Sequence, residues 1–218
     1  MVSLYEIGEP LENEKVIDYI KYTKSNKIGT IISSNLSIEK SDEFWEKLVE
    51  SGLDRIIVSI DGITPEIYNK YRRNGNLKLV YENLNKILYY KKISDSKLLI
   101  EWQMIDFPWN KCEQVEAKEY ALNIGCNEFR IIEEVTKVRL NYKNTLFVRK
   151  RNCIMPYFTF NVTAYNTVRP CTKIYNEPMI IGDLNINSFQ DIWNSDAICE
   201  IRDKKKIKNR IGCKTCIE

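Results

Sequence analysis

The sequence predicts an α/β fold: a parallel sheet or barrel over residues 1–135, then a small cysteine-rich domain over residues 136–218. Three observations predict it. Short β-branched runs alternate with segments of helical period along the first part of the chain. One of these runs, Arg55-Ile56-Ile57-Val58-Ser59-Ile60, is almost continuously apolar, as a strand buried on both faces requires. Beyond about Val135 the alternation stops, and the chain becomes irregular and richer in Asn, Lys and Cys.

The elements follow in order. Residues 3–7 form a short apolar strand ended by Gly8-Glu9-Pro10. A helix is predicted over residues 12–25, with Val16, Ile17 and Ile20 on one face. Residues 28–33 are a β-branched strand. Residues 42–51 are an amphipathic helix through Phe44, Trp45, Leu48 and Val49, with Gly52 as its C-terminal cap. After the strand at 55–60, Thr64-Pro65-Glu66 opens a short helix, Thr capping and Pro in the first turn. Leu77, Val80, Tyr81, Leu84, Ile87 and Leu88 give residues 77–92 a clean helical period. A strand at 98–105, a helix at 112–124 capped by Gly125 and a strand at 129–132 complete the series. The second domain shows one short helix, near residues 189–194.

Composition excludes several function classes. Apolar residues make up 44% of the 218, enough to bury a core. The 33 basic and 30 acidic residues leave a charge of +3, which gives no general case for nucleic acid or an anionic membrane. The basic run at residues 204–210 reads as a solvated helix end or loop. No stretch reaches the roughly 18 apolar residues of a membrane span, and the N-terminus lacks the pattern of a signal peptide. The expected location is therefore cytoplasmic. There, seven cysteines are expected as metal ligands or thiols rather than disulfides. The chain has no histidine, which excludes His-based zinc hydrolysis, Ser-His-Asp triads and Cys-His nucleophiles.

Ligands of parallel α/β folds bind at the carboxyl ends of strands. Here those ends carry Gly8-Glu9-Pro10, Ser33-Ser34-Asn35, Ser59-Ile60-Asp61-Gly62, and Gln103, Met104 and Asp106. Each alone is also ordinary turn chemistry. Together they describe one rim able to hold a polar small molecule. No carboxylate is marked out by spacing as a catalytic acid or base.

Four cysteines carry the second domain. In Cys213-Lys214-Thr215-Cys216 the spacing lets two sulfurs meet one metal centre across a tight turn, and Cys153 and Cys171 lie upstream in loop-like sequence. Four thiolates suit a tetrahedral zinc or an iron–sulfur cluster. Cys112, Cys126 and Cys199 lie on or beside helices and read as buried small apolar residues.

These motifs resemble a known family. Gly8-Glu9-Pro10 before a helix is similar to the "GGEP" stretch of radical S-adenosylmethionine (SAM) enzymes. Residues 52–62 resemble that family's "GLD…SIDG" strand, Tyr68-Asn69-Lys70-Tyr71-Arg72 its "YxKxR" helix, and Asn83-Leu84 its "ENL" helix. Residues 164–171, ending in Val168-Arg169-Pro170-Cys171, are similar to the "DGxVxPC" hairpin of SPASM and twitch domains. Ile181-Gly182-Asp183-Leu184 resembles their "LGNL", residues 189–195 their "eiWNs" helix, Arg202 an arginine after it, and Cys213-x-x-Cys216 their closing pair.

The resemblance implies a partial (β/α) parallel barrel of the radical SAM type over 1–135 and a SPASM/twitch-like domain over 136–218. It implies that Gly8 and Glu9 meet the SAM amino group, and that Asn35 and Ser59 hydrogen-bond the ribose or nearby polar atoms. Arg72 pairs with the methionine carboxylate, Met104 lies near the adenosine, and Asp61 shapes its turn. It implies one auxiliary [4Fe–4S] cluster on Cys153, Cys171, Cys213 and Cys216. The implied activity is SAM-derived radical hydrogen abstraction on a peptide, protein or sugar, by an oxidoreductase or maturase. The family's CxxxCxxC loop, which holds the reactive cluster, does not occur in this sequence. The expectation is therefore a truncated form unable to start the chemistry alone. A split protein whose other half supplies the loop, or a degenerate relative that keeps binding alone, would also lack it. The alternative function is a non-catalytic binding module with a structural cluster or zinc.

Overall fold

The computed structural model describes residues 1–6, 8–134, 155–172 and 179–203. The chain divides into two compact units, residues 1–134 and 135–218.

In the first unit, β1 (Val2–Ser3), β2 (Thr30–Ser34), β3 (Arg55–Ser59), β4 (Leu99–Asp106) and β5 (Glu128–Glu133) form one sheet in the order β1-β2-β3-β4-β5. Every pairing is parallel. Helices α1 (Val16–Ser25), α2 (Asp42–Glu50), α3 (Pro65–Tyr71), α4 (Leu77–Ile93) and α5 (Gln114–Ile124) occupy the crossovers. Each strand therefore lies beside its predecessor in sequence, the progression of a barrel wall.

Local chemistry sets the helix starts. The side chains of Ser41, Thr64 and Asn76 accept the main-chain N–H of Phe44, Ile67 and Leu79 at the N-termini of α2, α3 and α4. The first helix starts later than its apolar period suggests. The Glu9 carboxylate accepts from Leu11 N and closes Pro10–Glu12 into a 3-10 turn, so α1 begins at Val16. The first strand is also shorter than expected, pairing only at Val2 and Ser3, and it forms one edge of the sheet. Ile7, its expected last residue, lies outside the described residues.

Strand alternation separates the two sheet faces. Ile32, Ile56, Val58, Ile100 and Trp102 join helix residues such as Ile20, Trp45, Leu84 and Ile87 in one buried cluster. Each such side chain contributes roughly 1.5–3 kcal/mol by leaving water. Gly62 marks where a helix presses on a strand end. A Cβ there would lie 2.5 Å from Tyr68 N, so only glycine lets α3 sit this close to β3.

The second unit contains a three-stranded antiparallel sheet of β6 (Asn161–Val162), β7 (Thr167–Arg169) and β8 (Gly182–Asp183). Among the described residues three short helices accompany it: α6 (Met155–Phe158), α7 (Phe189–Trp193) and α8 (Asp196–Arg202). Only α7 is visible in the sequence as a helix. Arg202 joins all three. Its Nε donates to Pro156 O at 3.1 Å, its Nη1 donates to Trp193 O at 2.9 Å, and its guanidinium lies 4.3 Å from the Trp193 ring centre. Contacts so distant in sequence explain why α6 and α8 carry no periodic signal.

The three cysteines read as core residues divide in the structure. Cys126 is buried, but Cys112 and Cys199 are exposed. Cys112 sits in the 3-10 turn Lys111–Glu113, whose inward side chain is Glu113. Burial pushes the Cys126 thiol up to about 12, with Lys91 opposing. The thiolate is the reactive form. At pH 8, iodoacetamide is therefore expected to label Cys112 in the folded chain and to leave Cys126 unmodified, as peptide mass mapping would read. Equal labelling of both would contradict this placement.

Candidate functional site

The carboxyl ends of the first four strands are stitched together by polar side chains. Glu9 links two of them: one carboxylate oxygen accepts from Leu11 N at 3.1 Å and the other from Asn35 N at 2.9 Å. Gly8 beside it is exposed, with φ +111 and nothing within 4 Å of a Cβ position, so the backbone lies open there. Asn35 closes its own turn, its Oδ1 accepting from Ser37 N at 2.7 Å. Ser33 and Ser59 face each other across β2 and β3, with 3.4 Å between hydroxyls. Asp61, 1% exposed, accepts from Arg72 Nε at 2.7 Å and from Ile105 N at 2.8 Å. The pair joins the end of β3 to the end of α3 and to β4.

Two buried asparagines brace these ends from behind. Asn83 of α4 donates its amide hydrogens to Leu36 O and Ile38 O, at 2.9 and 2.8 Å. This holds the loop after β2, where Leu36 takes a left-handed φ of 54°. Asn110 does the same one step along, donating to Asp61 O and Ile105 O at 3.0 and 2.8 Å. Glu113 accepts from Ile63 N at 2.7 Å and from the Thr64 hydroxyl, fixing the loop between β3 and α3. A buried carboxylate is stable only with such partners.

The sheet face opposite the helix core is polar. The register sets Ser59 beside Gln103 and Gln103 beside Arg130. Arg130 Nη2 donates to Gln103 Oε1 at 2.9 Å. Its Nε lies 2.7 Å from Glu101 Oε1, yet no directed hydrogen bond reaches that oxygen among the described residues. Arg55 bridges Glu101 at 2.5 Å and Glu128 at 2.7 Å, and these hydrogen bonds, to Glu128 first, raise its pKa above the ordinary arginine value. The buried Glu101 charge is thus matched by two guanidiniums.

Residues 153–217 match the SPASM family model, described as an iron-sulfur cluster-binding domain. Among solved structures, Streptococcus suis SuiB superposes with a TM-score of 0.66 at 12% identity, covering 89% of this chain and 56% of that one. The anSMEcpe protein with bound AdoMet superposes with a TM-score of 0.59 at 14% identity, covering 96% and 72%. The chain has the fold of the radical SAM proteins, with a SPASM domain matched over residues 153–217. Among curated proteins, the GTP 3′,8-cyclase of Limosilactobacillus fermentum is 34% identical over 105 residues, 45% of this chain and 30% of the relative. A probable GTP 3′,8-cyclase of Methanococcus maripaludis is 32% identical over 120 residues, 54% and 38%. The chain spans about a third of the length of these curated relatives.

Gly8, Glu9, Asn35 and Ser59 lie at strand ends of one sheet, and Arg72, at the C-terminus of α3, reaches the end of β3 through Asp61. Glu9 and Arg72 are already engaged there: both Glu9 oxygens accept main-chain hydrogen bonds, and Arg72 spends its Nε on Asp61. Met104 lies elsewhere. It is fully buried and shares the helix-side face with Ile100 and Trp102, because residues two apart on a strand point the same way. Gln103 is the β4 residue on the face of Ser59. Counting by two along β4 is the signal that distinguishes them. Arg130, Asn110 and Glu113 carried no local signal at all; Asn83 was marked only as part of a helix, not for its side-chain contacts.

The SPASM domain contains five cysteines within its matched span: Cys153, Cys171, Cys199, Cys213 and Cys216. Thiolates are the donor set that iron–sulfur clusters take, so the residues fit the group. Cys171 lies just past β7, after Pro170, and is buried. Cys199 is exposed on α8, its Sγ 3.8 Å from Asn194 O. Cys153, Cys213 and Cys216 lie outside the described residues. Among the described residues no helix is long and apolar enough to cross a membrane.

Proposed function

We propose that this chain binds S-adenosylmethionine at the carboxyl ends of β1 to β4 and holds one auxiliary [4Fe–4S] cluster on Cys153, Cys171, Cys213 and Cys216. It would do so as part of a radical SAM/SPASM enzyme of the oxidoreductase or maturase type, removing hydrogen from its substrate. The observation that carries the reading is the convergence of Glu9, Asn35, Ser59 and the Asp61–Arg72 pair on one rim of a radical SAM fold. The protein's own residues supply binding there. The Gly8 backbone lies open to an ammonium, and the terminal nitrogens of Arg72, which make no hydrogen bond among the described residues, suit a carboxylate. One-electron transfer or substrate ligation is the chemistry that an auxiliary cluster supplies when bound.

The substrate is polar on this reading, because Gln103 and the half-exposed Arg130 line the sheet face beside Ser59. The family resemblance points to a peptide, protein side chain or sugar. The curated relatives are named for GTP, which adds a nucleotide to these classes. A second reading is a non-catalytic binding module with a structural cluster or zinc, because four thiolates suit a tetrahedral zinc as well as a cluster.

Anaerobic reconstitution with iron and sulfide, followed by equilibrium dialysis against SAM, tests the proposal. The expected result is a brown protein with about four irons per chain and saturable binding near one SAM per chain, weakened about tenfold or more by Arg72→Gln. A colourless protein with one zinc would reduce the SPASM domain to a structural role. Absence of SAM binding would remove the ligand assignment at the rim.

A further inference from the structure

We infer that Asp61 is a positioning residue, whose carboxylate aims the Arg72 guanidinium at an anionic group of the ligand held on the rim. The inference rests on the proposed SAM site and deepens it by saying what makes Arg72 selective for a carboxylate.

The geometry begins with how firmly Asp61 is held. It is 1% exposed. Its Oδ1 accepts from Ile105 N at 2.8 Å, and its main-chain carbonyl accepts from Asn110 Nδ2 at 3.0 Å. Asn110 is itself fully buried, and its Oδ1 accepts from Phe107 N at 3.1 Å and Gln114 Nε2 at 3.2 Å. Asp61 therefore cannot turn without breaking the end of β4. The remaining oxygen, Oδ2, takes Arg72 Nε at 2.7 Å.

That contact is made through the side nitrogen of the guanidinium. The two terminal nitrogens keep their fork, the edge that matches a carboxylate. Arg72 caps the C-terminus of α3, and its side chain is only one quarter exposed. The Tyr71 ring centre lies 5.1 Å from the guanidinium carbon. An arginine held at its neck loses less rotamer freedom when the fork engages a ligand. Asp61 also offsets the charge of Arg72, so discrimination must come from the aimed hydrogen bonds rather than from long-range attraction. A purely structural Asp61, serving only Ile105 N, would support every ligand of the rim equally. A positioning Asp61 supports the carboxylate alone.

The full chain is titrated by equilibrium dialysis with SAM and with decarboxylated SAM, which lacks only that carboxylate. The wild type is expected to prefer SAM by about tenfold or more, the worth of a charge-assisted pair. Asp61→Asn keeps an acceptor for Ile105 N but presents a donor to Arg72 Nε. It is expected to lower the preference to about threefold or less while binding decarboxylated SAM within about twofold of wild type. Equal weakening of both ligands, or an undiminished preference, would overturn the inference. Arg72→Lys keeps the charge but removes the nitrogen that Asp61 holds, and it tests the same point should Asp61→Asn fail to fold. Its preference is expected to match that of Arg72→Gln within about twofold; full preference in the lysine variant would show that charge suffices and overturn the inference. A wild type that does not distinguish the two ligands, or an Arg72→Gln variant that still does, would instead overturn the carboxylate reading of Arg72 itself.

Discussion

Replacing Cys171 by alanine is expected to abolish iron loading of the SPASM domain. The wild-type chain should take up about four irons and four sulfides on anaerobic reconstitution, and Cys171→Ala should fall to background. The effect is all-or-none for a physical reason. Four thiolates hold a cluster as a set, and its binding free energy is coupled to local folding, so three ligands do not retain three quarters of the affinity. Cys171 is the ligand candidate that the structure describes, buried just past β7, after Pro170. That strand is positioned from both sides: it pairs with β6 and β8, and Thr159 Oγ1 donates to Pro170 O at 3.4 Å. Cys213→Ala should behave identically, because on the proposed ligand set the CxxC supplies two of the four sulfurs. Cys112→Ala is the control, since Cys112 lies exposed in the first unit. Unchanged iron and sulfide in Cys171→Ala or Cys213→Ala would remove the ligand assignment, and a lost cluster in Cys112→Ala would move it to other residues.

The largest loss of stability is expected from Trp102→Ala, by about 3–5 kcal/mol. Trp102 sits in the middle of β4 with no exposed surface. Its ring centre lies 6.1 Å from Tyr81, 6.2 Å from Tyr120 and 6.4 Å from Phe129, so it joins α4 and α5 to β4 and β5. Its Nε1 donates to Ile60 O at 3.0 Å, a carbonyl at the end of β3. Alanine leaves a cavity and removes the donor to a buried carbonyl, and both terms act in the same direction. Urea denaturation followed by circular dichroism would measure the loss. A change below about 1 kcal/mol would show that Trp102 is not in this core.

What the sequence revealed was whatever repeats or caps locally. The run Arg55 to Ser59, the helical period of α4 and the Thr64-Pro65 start of α3 all announce themselves within a few residues. The strand-end rim was legible too, because its polar residues fall where apolar strands stop. Met104 and Gln103 show the limit. Both belong to the same strand end, and only the twofold alternation from Trp102 separates the helix side from the polar side. Asn110 and Glu113 were out of reach for another reason. Their partners, Asp61, Ile63 and Thr64, lie about fifty residues away, and a buried polar group looks in sequence like any turn residue. The late start of α1 had a local cause, the Glu9 cap, but a carboxylate before proline reads equally well as a ligand group.

The two buried asparagine amides brace the rim from behind, and this shapes how damage to the protein would present itself. Asn83 and Asn110 each give both amide hydrogens to carbonyls of strand-end loops, and both side chains are buried behind those loops. A substitution at either position would leave the hydrophobic core nearly intact while letting the strand-end loops drift. In a genetic screen such alleles would pass for lesions of the proposed binding site, although they mark residues behind it.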